Sequence, residues 1–89
     1  MKAIVTVLGK DTIGIIAGVS NVLSDAKVNI LDISQTILED YFTMIMVTDF
    51  SKATSSFSEI QESLDNAGKK IGVSVKVQRE DIFNSMHNL

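Results

Sequence analysis

GKDTIGIIAGVSNVLSDAKVNILDI, residues 9–33, is the stretch whose reading decides the fold. It reads as a short loop, one amphipathic helix and the opening of a strand. Ile15, Val19, Val22, Leu23 and Ala26 fall on one helical face, with Ser20, Asn21, Ser24 and Asp25 on the other. Asp11 or Thr12 is expected to cap the helix by accepting from its free N–H groups. Such an N-terminus carries unpaired donors and the positive end of the helix dipole, so it attracts a carboxylate or phosphate. Gly14, where loop becomes helix, has no Cβ and lets a small ligand approach that backbone. The stretch is therefore a candidate small-molecule site, and the rest of the chain builds a sheet to hold it.

Upstream, Ala3 to Leu8 is a mostly β-branched run that stops at Gly9, a first strand. Downstream, Asn29 to Leu38 is a longer strand, with Leu31, Ile33 and Ile37 on one face and Asp32, Ser34 and Thr36 on the other. Glu39-Asp40 is a tight polar break before Tyr41 to Thr48, so the second and third strands form a hairpin. Ser56-Phe57-Ser58-Glu59 is a capping box opening a second helix, whose apolar stripe is Phe57, Ile60, Leu64, Ala67 and Ile71. Asp65 and Lys69 stand four apart as an expected ion pair, and Gly72 is the expected stop. Val73, Val75 and Val77 alternate with Ser74, Lys76 and Gln78 in a fourth strand. Asp81 is expected to cap a last short helix bearing Ile82, Phe83, Met86 and Leu89.

The order β-α-β-β-α-β with a helical tail describes one α+β domain over residues 1–89. Each long helix has a single apolar stripe, so both must cover one face of a four-stranded antiparallel sheet. This is the ferredoxin-like sandwich, the split βαβ arrangement. Right-handed crossovers give strand order 4-1-3-2 and leave the second strand on an edge.

Composition narrows the function. The chain is 45% hydrophobic, enough for a core, and contains no cysteine, which removes disulfides, thiolate nucleophiles and cysteine metal clusters. Met1-Lys2 runs directly into the first strand, and no apolar run approaches the length that spans a bilayer, so a cytoplasmic protein is expected. Eight basic against 11 acidic residues leave a net charge of −3, a poor footing for nucleic-acid binding. An RNA-recognition module of this fold needs aromatic and basic residues on its central strands. Here the first strand has no aromatic, and Tyr41-Phe42 has no arginine nearby. An acylphosphatase-like enzyme needs an arginine after the first strand, where only Lys10 is present, and a copper chaperone needs cysteines. His87 is the only histidine and is expected to be a solvated tail residue, so no metal site is expected. Asp32, Glu39 and Asp40 read as strand and turn residues, and no catalytic set is expected.

Asp11-Thr12-Ile13-Gly14-Ile15-Ile16, the helix ending in Leu23, and Asn29-Ile30-Leu31-Asp32-Ile33 together resemble the ACT domain. The resemblance reaches to about Arg79 and is nearest to the small stand-alone ACT proteins and to the ACT halves of glycine-cleavage regulators. It implies a regulatory module that binds an amino acid, uses no cofactor, and acts through a partner protein. In that family the ligand lies between the first loop of one subunit and the start of the second strand of its neighbour. Carried over, Gly9, Lys10, Asp11, Gly14 and Ile15 line one side, and Asn29 and Ile30 the other. Backbone N–H groups at Gly14, Ile15 and Ile16 would hold the α-carboxylate, and Asp11 and Asn29 would accept from the ammonium group. Ile13 stands where many members have proline, which leaves the loop less rigid.

The strands also carry apolar residues on both faces. Ile4 and Leu8 alternate against Val5 and Val7, and Tyr41, Ile45 and Val47 against Phe42, Met44 and Met46. Two helices cover one face only. At least a homodimer is therefore expected, edge to edge through the second strand or face to face through the open sheet. The competing reading is an oligomerisation module that binds no ligand.

Overall fold

A computed structural model describes residues 1–87, with side chains through Phe83. The elements are β1 (Lys2–Lys10), α1 (Ile15–Asp25), β2 (Asn29–Leu38), β3 (Tyr41–Asp49), α2 (Phe57–Ile71), β4 (Val73–Arg79) and α3 (Glu80–His87). All strand pairs are antiparallel, in the order β2-β3-β1-β4. This is the expected arrangement, with β2 on an edge. The side chains of Met86 and His87, and Leu89 as a whole, lie outside the described residues. Among the described residues no helix is long and apolar enough to cross a membrane.

Alternation along the strands sorts the two faces. Ala3, Val5 and Val7 of β1 pair with Thr48, Met46 and Met44 of β3 and point with them toward the helices, all buried. Val75 and Val77 of β4 extend the same layer. From the helices, Ile15, Val19 and Leu23 meet it beside Ile60 and Leu64. Thr48 is a polar residue inside this apolar layer, and its hydroxyl donates to the Ala3 carbonyl at 2.8 Å, so no unpaired group is buried there. On the opposite face Ile4 is buried while Leu8, Tyr41 and Ile45 are exposed. There α3 packs against β1 and β4.

Close packing around α2 has a measurable consequence. A Cβ at Gly68 would stand 2.7 Å from the Val73 carbonyl oxygen, a backbone atom that cannot swing away. A Cβ at Gly18 would meet only the Ile71 Cδ1 tip at 2.5 Å, the free end of a flexible side chain. Both substitutions gain about 1 kcal/mol of helix propensity, but overpacking against backbone costs about 1–3 kcal/mol. Gly68→Ala is therefore expected to unfold at lower denaturant than the parent, and Gly18→Ala to be the better tolerated of the two. Equal midpoints for the two variants would contradict this packing.

Helix α2 opens on the expected capping box. The Glu59 N–H donates to Ser56 Oγ (3.2 Å), and the Ser56 N–H donates to Glu59 Oε1 (3.0 Å). The Ser56 backbone donor, with a smaller contribution from its side chain, holds the Glu59 carboxyl below its ordinary value. Gly72 ends the helix with φ 89°, a left-handed conformation that glycine adopts without strain.

Three local expectations are corrected. Asp65 accepts from Gln61 Nε2 (2.9 Å), and no Lys69 pair forms among the described residues. Gln61 Oε1 accepts from the Val77 N–H (3.1 Å), which fixes that side chain and commits its amide nitrogen to Asp65. Helix α3 starts at Glu80, so Asp81 lies inside its first turn and pairs with Arg79 (3.3 Å). In β2 a bulge falls between Ile30 and Asp32, leaving Leu31 without a partner on β3. Ile30 consequently shares the helix-side face with Ile33 and Ile37, opposite Thr48, Met46 and Phe42.

Candidate functional site

The loop half of the proposed site is built around an open helix end. Gly14 is the N-cap residue of α1, with φ 91°, and no side chain caps the helix. The expected cap by Asp11 or Thr12 does not form. Instead the Asp11 N–H donates to the Asp40 carbonyl at 2.7 Å, which ties the loop to the β2–β3 turn. The first bond into the helix runs from the Gly18 N–H to the Gly14 carbonyl (2.8 Å). The N–H groups of Ile15, Ile16 and Ala17 therefore lack an intrahelical acceptor. A Cβ at Gly14 would find no heavy atom within 4 Å, so the approach to these donors is clear.

The other carried-over residues have distinct roles. Lys10 and Asp11 are exposed beside this helix end. Gly9 is needed for packing, since its Cβ would lie 2.7 Å from Val73 Cγ1. The Ile15 side chain is in the core at 2% exposure, which leaves only its backbone for a ligand.

Asn29 and Ile30 stand at the far end of the sheet. Lys10 is opposite Tyr41, whereas Asn29 is opposite Asp49 at the other end of β3, roughly 25 Å away at about 3.3 Å per residue. One chain does not bring the two halves together. Asn29 is exposed and Ile30 packs partly against the core. Both line a shallow depression of about 470 Å³, walled by Ser20 and Ser24 of α1, by Lys27 and Val28, and by Lys52. This is within the size range of small-molecule sites. A smaller hollow of about 200 Å³ lies between the helices, with Val22 and Ile60 on its walls.

Lys27 borders this depression from a strained backbone. Its φ is 61°. Its N–H donates to the Ser24 carbonyl (3.0 Å) and the Val28 N–H to the Leu23 carbonyl (2.9 Å), the paired bonds of a Schellman motif. Glycine usually occupies that position. Neither Lys27 nor Lys52 was singled out from the sequence. The first has no glycine or asparagine signal, and the second is brought to the site only by tertiary folding. Among the described residues no group of three or more His, Asp or Glu side chains is placed to hold a metal.

A model of the ACT domain matches residues 2–78. The chain belongs to the ACT domain family. ACT domains are ligand-binding regulatory modules, often for amino acids. A UPF0237 protein of Clostridium acetobutylicum is 61% identical over 89 residues, covering all of both chains. An ACT domain protein from Streptococcus pneumoniae has 42% identity and a TM-score of 0.80, with 93% of each chain covered. A candidate glycine cleavage system transcriptional repressor shares the fold at 20% identity and TM-score 0.72, with 86% of this chain on 44% of that one.

Proposed function

We propose that this ACT domain is a non-enzymatic cytoplasmic sensor that binds an amino acid between two copies of itself and signals through a partner protein. The observation that carries the reading is the uncapped N-terminus of α1, open above Gly14. Free N–H groups and the helix dipole suit an α-carboxylate. Exposed Asp11, and the carbonyl of Asn29 from a second copy, suit the ammonium group.

The edge position of β2 supports a shared site. If β2 pairs antiparallel with the same strand of a second copy, Asn29 of one copy approaches the Leu38 end of the other. That end is tied to the loop by the Asp11–Asp40 hydrogen bond. Two symmetric sites result, each with a loop from one copy and a strand start from the other.

A thermal-shift screen of the purified protein against the common amino acids tests this reading. At least one is expected to raise the melting temperature in a concentration-dependent way. The rival reading, an oligomerisation module without a ligand, draws on the exposed apolar side chains of β2 and predicts a flat screen.

A further inference from the structure

The depression beside Asn29 carries a charge pattern that the amino-acid reading does not use. Lys27 and Lys52 both line it, with Ser20 and Ser24, and no Asp or Glu does. Neither lysine has a counterion: the single ion pair among the described residues is Arg79–Asp81. Two exposed lysines without an ion-pair partner thus border one hollow in a chain whose net charge is −3. Their natural complement is an oxyanion, which can accept from ammonium and hydroxyl donors together.

The backbone supplies an independent reason to assign a role to Lys27. Its φ of 61° is a conformation that glycine adopts freely and other residues adopt under strain. Strain retained next to a candidate site points to a side chain that is needed there. The structure of the helix end explains the φ; it does not explain the lysine.

We propose that the ligand is an acidic amino acid whose side-chain carboxylate is held by Lys27 and Lys52. This rests on the amino-acid reading above and deepens it. Asn29 belongs both to the ammonium-binding half of the proposed site and to the depression, so a ligand held at Asn29 has its side chain beside the two lysines. An apolar side chain there would leave both exposed ammonium groups without a partner, and a basic one would be repelled. Glutamate and aspartate satisfy both ends.

Calorimetric titration of the full chain with L-glutamate, L-glutamine, L-aspartate and L-asparagine is the test, because each acid is compared with a near-isosteric amide. At least one acid is expected to bind roughly tenfold or more tightly than its amide. Lys27→Gly and Lys52→Gln are each expected to remove most of that preference. Lys27→Gly relieves the backbone, so its ligand-free melting temperature should equal or exceed the parent's and certify a folded protein. Amides that bind as tightly as the acids, or a preference unchanged in both lysine variants, would overturn the assignment while leaving an amino-acid site standing. If none of the four binds but another amino acid stabilises the protein, the acidic assignment alone fails. If no amino acid binds, both readings fall.

Discussion

Gly14→Asp is expected to erase the thermal stabilisation that an amino-acid ligand gives. A ligand held only by the folded state, at about 100 times its dissociation constant, adds roughly 2.7 kcal/mol. For a domain of this size each kcal/mol is worth about 4–8 °C, so the parent's melting temperature should rise by about 10 °C or more. The substitution puts a carboxylate in the open space above the free N–H groups of α1, where the ligand's own carboxylate would sit. Because φ at Gly14 is 91°, any side chain there also strains the backbone. Gly14→Asn separates the two effects. Asparagine and aspartate tolerate the left-handed region to similar degrees and match in size, so the backbone strain is common to both, while the aspartate recovers about 0.3–1 kcal/mol from the helix dipole. Of the pair, the asparagine variant should keep part of the ligand-induced shift and the aspartate variant none. A full shift in Gly14→Asp would remove the ligand from this helix end.

What was legible in the sequence follows the reach of each signal. Period-2 and period-3.6 alternation sorts residues into faces: it grouped Val5 with Val7 and Phe42 with Met44 and Met46, but left open which set meets the helices, and the fold puts these against Ile15, Val19 and Leu23. Capping depends on where a loop is pulled, and the pull on Asp11 comes from the Asp40 carbonyl, distant in sequence. The ion pair at Asp65 was lost for a similar reason, since Gln61 is fixed by β4 and reaches the carboxylate first. The bulge at Leu31 carries no glycine to announce it, yet it moves Ile30 to the opposite face. The open helix end at Gly14, the loop half of the candidate site, was legible because a glycine marks the positive φ. The depression was not, because Lys27 adopts its positive φ without a glycine and Lys52 is joined to it only by the fold.

Replacing Ile33 and Ile37 with lysine is expected to convert a dimer into a monomer. Both face the helix side of the sheet, yet they remain 45% and 55% exposed. Leu31 and Leu38 add to this edge at 46% and 74% exposure. Such an edge, with its free backbone groups, is a template for a second strand. Pairing two copies of β2 antiparallel would bring four isoleucines, two from each chain, into the gap between the α1 helices. Full burial of an isoleucine is worth about 1.5–3 kcal/mol, and these are already half covered, so about 1 kcal/mol each remains to be gained. Losing roughly 4 kcal/mol weakens the dimer by about a thousandfold. Lysines pointing inward from an edge strand also oppose strand pairing directly. The open sheet face supplies the control. Ile45 is 40% exposed there, beside Tyr41 and Leu8, and Ile45→Lys should leave an edge-to-edge dimer intact. Light scattering at micromolar concentration reads all three proteins. A monomeric parent would sink the shared site, whereas loss of the dimer in Ile45→Lys alone would move the interface to the open face and leave Asn29 without a loop to complete.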